Sequence, residues 1–255
     1  MSVVMESWLP RHRFNVDEYH RMREFGILKC TDRVELLEGH IFDLTDRLAD
    51  EGMTVAPRES RAMEAEPDAW LPFHRFTVGE YYRMFEIGLL APDARVELIE
   101  GEIIDMTPIG SMHCGTVDWI TALFHKAVSQ HALVRTQGVV ALSGFSEPQP
   151  DIALLERRDD FYRKTHPGAP ETFLIVEVSD SSLRTDQLVK IPLFAHFGVP
   201  EVWVVDLLNE RLHFYRSPRD GGYMEVSFTA NPGLTALSAL PGITVDLSEL
   251  FGPPS

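Results

Sequence analysis

The residues best suited to chemistry lie between positions 150 and 190. Pro150-Asp151 opens an apolar run, Ile152-Ala153-Leu154-Leu155. A second run, Phe173-Leu174-Ile175-Val176-Glu177-Val178-Ser179, carries a carboxylate in its interior, and Lys190 follows. A carboxylate in each of two short β-like runs is costly unless it is paired or bound to a metal, because unpaired buried charge is strongly disfavoured. Two acids and one lysine are the minimum set for metal-assisted phosphodiester hydrolysis, in which a cation lowers the pKa of a bound water and stabilises charge building on the phosphate. Mg²⁺ keeps several of its waters, so Asp151 and Glu177 suffice as ligands, and the main-chain carbonyl of Val178 is a candidate third oxygen. Lys190 would orient or deprotonate the water, or hold the phosphate. Plainer readings stay open. Asp151 could be a turn residue after Pro150, Glu177 could pair with an arginine, and Lys190 could form an i,i+4 pair with Asp186 worth about 0.2–0.5 kcal/mol.

Two further candidates lie upstream. Glu97 sits in an apolar hairpin strand, where a pair with Arg95 on the same face is the structural alternative. His113 lies two residues into a helix that opens near Ser111, where free amides and the positive dipole end favour anions; a capping or packing role competes. Gln137 on a neighbouring strand is a weaker candidate. The stretch from Glu156 to Thr172 carries Arg157, Arg158, Arg163 and Lys164, but interleaved acids favour a solvated loop over a nucleic-acid contact. A loop this long is commonly a functional flap or disordered.

The elements that must position these residues follow from periodicity. A helix is expected from Ser111 to about His131, with Val117, Ile120, Phe124 and Val128 on its apolar face. Strands are expected at 133–142, 150–155, 172–179, 201–207 and 210–216, with another at 223–229. A helix near 185–197 ends at Gly198. This order is α/β with a mixed sheet. Pro192 falls inside the lysine-bearing helix, where it removes an amide donor and crowds the carbonyl of Leu188; a kink that displaces Lys190 is the hazard.

An internal repeat precedes this region. WLPRHRFNVDEYHRMREFGILKCTDRVELLEGHIFDLT (8–45) recurs as WLPFHRFTVGEYYRMFEIGLLAPDARVELIEGEIIDMT (70–107), without a gap and identical at more than half of its positions. Each copy reads as a short helix and a hairpin. In the second, Thr77 and Glu80 form a capping box, Gly88 ends the helix, and Glu100-Gly101 is the hairpin turn. Residues 46–69 are polar and acidic and read as a linker. The expected organisation is a partial repeat (1–45), the linker (46–69) and the main domain (70–255). The first copy is either a vestigial appendage packed on the main domain or an oligomerisation element that mimics its sibling.

The 255 residues include 39 acidic and 23 basic ones, for a formal net charge of −16. That argues against a protein that coats nucleic acid through a broad basic surface. A nuclease with a small site remains compatible, because a bound divalent metal reverses the local field. No secretory-signal pattern and no apolar stretch of roughly 20 residues is present, so no membrane partner is expected. Cys30 and Cys114, the two cysteines, fit a reducing cytosol and a cytoplasmic location.

The segments VELIEGEIIDM, His113 in the next helix, PDIALL, FLIVEVSDSS, Asp186-x-x-x-Lys190 and FGVPEVWVVD, in this order, resemble the Uma family, whose members are read as endonucleases. That family is similar to restriction endonucleases of the PD-(D/E)XK superfamily, and the resemblance covers roughly residues 74–250. It implies a restriction endonuclease-like mixed β-sheet flanked by helices, with Mg²⁺, or Mn²⁺ in its place, at the acids. It also implies catalytic roles for Asp151, Glu177 and Lys190, with Glu97 as the family's first acid and His113 nearby. The superfamily pattern sets lysine two residues after the second acid, where this chain has Ser179; Lys190 is the replacement the family suggests. The leading expectation is a Mg²⁺-dependent endonuclease acting on nucleic acid, DNA before RNA. Its rivals are a nuclease-like binding or assembly module without turnover and a hydrolase of small phosphorylated molecules. A homodimer is compatible with all three.

Overall fold

The computed structural model describes residues 9–44, 72–128 and 130–252. The described residues divide into two compact units, the first ending at Asp105 and the second beginning at Met106. The acidic linker expected over 46–69 lies outside the described residues.

The first unit uses one design twice. Helix α1 (Val16–Glu24) and strands β1 (Val34–Leu37) and β2 (His40–Asp43) are followed by α2 (Val78–Glu86), β3 (Val96–Ile99) and β4 (Glu102–Asp105). Both helices open with a reciprocal capping box, Asn15 with Glu18 and Thr77 with Glu80, which satisfies two otherwise orphaned amides. Both hairpins turn through a Glu-Gly pair with positive φ, 50° and 85° at Glu38-Gly39 and 54° and 84° at Glu100-Gly101. These are the mirror-image turn conformations that suit the twist of paired strands. A lone two-stranded hairpin is marginal in water. Here the two copies share one core, in which Phe14, Met22, Leu28 and Ile41 of the first meet Phe76, Met84, Leu90 and Ile103 of the second.

The second unit is built on a six-stranded sheet: β5 (Leu133–Thr136), β6 (Ile152–Leu155), β7 (Thr172–Ser179), β8 (Glu201–Asp206), β9 (Arg211–Arg219) and β10 (Gly222–Thr229). The strands lie in the order β10-β9-β8-β7-β6-β5, with β7 and β8 parallel and the other neighbours antiparallel. Strands β6 and β8 are buried along their whole length, as expected for strands covered on both faces. On one face, Val117, Ile120 and Phe124 of α3 (Ser111–Val128) pack on Ile152, Leu154, Val176 and Trp203. On the other, Ile191 and Phe194 pack on Ile175, Val202 and Val204. This is the mixed α/β sheet flanked by helices expected from the sequence. The parallel step from β7 to β8 is bridged by α4 (Leu183–Thr185), a π turn (Asp186–Lys190) and α5 (Ile191–His196).

Three details depart from expectation. Strand β5 stops at Thr136 because Gln137 takes φ 46° and leaves the ladder. The long 156–172 segment is tied down by Tyr162, which is buried, donates its hydroxyl to the Glu156 carbonyl at 2.8 Å and lies under Arg158. A short antiparallel pair, β11 (Leu234–Ala236) with β12 (Thr244–Asp246), has no counterpart in the sequence reading. Among the described residues no helix is long and apolar enough to cross a membrane.

His74 gives the first unit an acid sensitivity. Its ring is largely buried beside Phe76, neither ring nitrogen has a hydrogen-bond partner among the described residues, and burial lowers its pKa against the upward pull of Glu80, Asp43 and Asp32. The unfolded chain, with histidine near its ordinary value of about 6.5, therefore takes the proton first as pH falls. Stability is complete above that value and declines as pH drops towards the folded-state pKa. Urea unfolding should show a loss between about pH 7.5 and about pH 5.5 that is smaller in His74→Phe. An equal loss in both proteins would contradict this assignment.

Candidate active site

The site grows from the register of two strands. Ile152 of β6 faces Val176 of β7 in an antiparallel ladder. One step further sets Asp151 opposite Glu177, and residues directly opposite each other share a face of the sheet. Asp151 is fixed by two donors on one oxygen: the Val178 N–H reaches its Oδ2 at 2.9 Å, and His113 Nε2 lies 3.1 Å from the same atom. His113 comes from the first turn of α3 and is 6% exposed, so it meets a carboxylate of the sheet instead of standing free at the helix end.

Glu177 lies in the middle of the sheet, 3% exposed, and accepts a hydrogen bond from Lys190 Nζ at 3.3 Å. Lys190 is itself 6% exposed and lies 4.0 Å from Asp186 Oδ1, one helical turn earlier. Asp186 in turn accepts hydrogen bonds from Ser179 Oγ at 2.5 Å and Ser182 Oγ at 2.8 Å. Ser179 lies two residues after Glu177, at the end of β7. Here its hydroxyl anchors the acid that flanks the lysine arriving from the next helix.

Pro192 does distort this helix, in a way that leaves Lys190 in place. The main chain widens to a π turn over Asp186–Lys190, with the Ile191 N–H donating to the Asp186 carbonyl five residues back. Proline then falls in the first turn of α5, where a missing N–H costs least. The wider turn takes up the crowding at Leu188, and Lys190 stays within hydrogen-bond reach of Glu177. Single π turns of this kind recur at functional sites.

The donor set can be tested against a metal. Among the described residues no group of three or more His, Cys, Asp or Glu side chains is placed to hold an ion. That is a poor match to a four-ligand zinc centre, which needs tetrahedral nitrogen or sulfur donors. Two carboxylates on adjacent strands do fit Mg²⁺ or Mn²⁺, which favour oxygen and complete their shell with water. Val178 has a buried side chain in the sheet core, and its N–H is already committed to Asp151.

Two candidates remain. Glu97 lies on β3 in the first unit and is 3% exposed, whereas its counterpart Glu35 is exposed. Gln137 meets Asp151 through the main chain, its N–H donating to the Asp151 carbonyl at 2.9 Å, with the residue exposed. Sequence reasoning missed Ser179 and Ser182 as the supports of Asp186. The signal available for Ser179 was its spacing of two residues from Glu177; Ser182 carried none.

A family described as "Uma2: Putative restriction endonuclease" matches residues 78–248, more than half of the chain. The solved structure of "a putative nuclease belonging to DUF820" from Anabaena variabilis ATCC 29413 is similar at a TM-score of 0.55 and 17% identity, covering 69% of this chain and 97% of that one. At that identity the likeness is one of fold. No curated protein matches. The family match spans His113, both acids and the lysine-bearing π turn, and the chain belongs to the Uma2 family of restriction endonuclease-like proteins.

Proposed function

We propose that this chain is a Mg²⁺-dependent endonuclease that hydrolyses phosphodiester bonds, with DNA as its preferred substrate and Mn²⁺ able to replace Mg²⁺. The observation that carries this reading is the place of Asp151, one residue before the Ile152–Val176 pair of β6 and β7 and hydrogen-bonded to the Val178 N–H, beside a Glu177 that holds the Lys190 ammonium. A cation bound there supplies Lewis-acid stabilisation of the phosphate and acidifies a water.

The chain's own groups have distinct tasks. Asp151 and Glu177 present oxygens to the ion, with the Val178 carbonyl as a third donor. His113 and the Val178 N–H hold one Asp151 oxygen and so fix the direction of the other. Asp186, pinned by two serine hydroxyls and 4.0 Å from Nζ, positions Lys190. The ammonium then orients the attacking water or neutralises a phosphate oxygen, tasks suited to a compact point charge. Glu97 belongs to this reading as the family's first acid. A local site of this kind agrees with the net charge of −16, since attraction to phosphate is needed only around the ion. A cytosolic setting, with both cysteines free, completes the reading.

Cleavage of supercoiled plasmid in Mg²⁺ or Mn²⁺ tests the reading. Wild type should convert it, and Glu177→Gln and Lys190→Met should each slow the conversion by more than about 100-fold. Undiminished cleavage by either variant would contradict the assigned roles, and no cleavage by wild type in either ion would favour a nuclease-like binding module. Mg²⁺ or Mn²⁺ should also raise the melting temperature of wild type and leave Asp151→Asn unmoved; an equal shift in both would place the ion elsewhere.

The charge arrangement yields a measurement independent of turnover. In metal-free protein Lys190→Met leaves buried carboxylates without their ammonium, a change that costs about 3–5 kcal/mol when one partner of a buried pair is removed. Adding Glu177→Gln should recover part of that loss in urea unfolding. A double variant no more stable than Lys190→Met alone would show that the two groups are not coupled.

A further inference from the structure

The bonds between the two repeat copies come in matched pairs. His12 N–H donates to the Ile103 carbonyl and His74 N–H to the Ile41 carbonyl, both at 2.8 Å. Asp105 N–H donates to the Pro10 carbonyl and Asp43 N–H to the Pro72 carbonyl, again both at 2.8 Å. The antiparallel bridges Arg11–Ile104 and Phe42–Phe73 are related in the same way. In every case, exchanging each residue for its repeat counterpart turns one bond into the other.

Residues also meet their own counterparts. Phe14 packs edge-on against Phe76 at 5.9 Å between ring centroids, and the Arg11 guanidinium lies 4.2 Å from the centre of Phe73. A residue touches its own equivalent only on a twofold axis, and a face that pairs with itself in this manner is isologous. The geometry is that of a symmetric dimer of helix-and-hairpin elements, contained in one chain.

The copies differ where the difference selects the pairing. Arg11 forms a buried ion pair with Glu102, with side chains 6% and 13% exposed. The symmetry-related positions hold Phe73 and His40, whose rings lie 5.5 Å apart. Pairing of two first copies would set Arg11 against Arg11. Pairing of two second copies would set Glu102 against Phe73 and remove its guanidinium. Like charge in one case and an uncompensated carboxylate in the other disfavour both, leaving the mixed pair as the preferred one.

We infer that residues 9–44 are an internal stand-in for a second chain, occupying a self-pairing face that residues 72–105 would otherwise offer to another molecule. The partner this face fits is a second copy of its own element, and the Arg11–Glu102 pair keeps the closed, intramolecular arrangement. This inference is independent of the nuclease reading.

The test uses the full chain with a site-specific protease site placed within 46–69, cut after purification and followed by light scattering. The uncut chain should not associate through this face, and the two pieces should remain a 1:1 complex after cutting. Arg11→Met should weaken that complex by at least about 30-fold, as removal of one partner of a buried interfacial charge pair does. Glu102→Arg should do the same, and Arg11→Glu added to it should restore binding, with circular dichroism showing that the pieces stay folded. The larger piece, separated from the smaller and shown by circular dichroism to stay folded, should self-associate, but more weakly than it binds the smaller piece. Pieces that part without any substitution, an Arg11→Met complex of unchanged affinity, a double swap that fails to restore binding, or a larger piece that stays single would each overturn the inference. So would an uncut chain whose association is broken by Arg11→Met.

Discussion

The structure of the candidate site depends on the cost of burying charge in the middle of a sheet. Glu177 stands on a strand whose neighbours are packed on both faces, and a carboxylate there is tolerable only with a counter-charge. Lys190 supplies it, and the helix that carries Lys190 is shaped accordingly. A π turn absorbs Pro192, and Asp186 within that turn is bonded to Ser179 at the end of β7 and to Ser182 just before α4. The acid, the lysine and the acid that flanks it are thus bound to the same parallel crossover that completes the sheet. Fold and site are set by one connection.

The same logic governs Asp151. Its position at the mouth of β6 follows from the antiparallel register with β7, and its orientation follows from a main-chain amide and a histidine of α3. Elements remote in sequence converge because the sheet needs α3 on one face and the α4–α5 segment on the other to bury its central strands. Packing brings the groups together, and hydrogen bonding then fixes their directions.

Much of this was legible in the residues. The apolar runs around Glu177 and in β8 mark strands without ambiguity, and the 172–179 boundaries coincide with β7. Elements of three residues, such as β11 and β12, are too short to show a period. Gln137 ended β5 early through a backbone conformation that its side chain does not announce. Residue types singled out Asp151, Glu177 and Lys190, but the His113–Asp151 contact spans separate elements and no local pattern encodes it. The repeat was visible as text, whereas its twofold pairing was not, because identity between copies does not say which faces meet. The matched bonds of Pro10 and His12, and of Pro72 and His74, with the opposite hairpins reveal that.

The central claim is that the acids at 151 and 177 share one hard cation beside an ammonium. Anomalous scattering from a crystal soaked in Mn²⁺ tests it most directly. The account requires a single strong peak within coordination distance of both carboxylates, with Lys190 still next to Glu177. A peak bound elsewhere, or clean density at this position under saturating ion with both acids ordered, would contradict it.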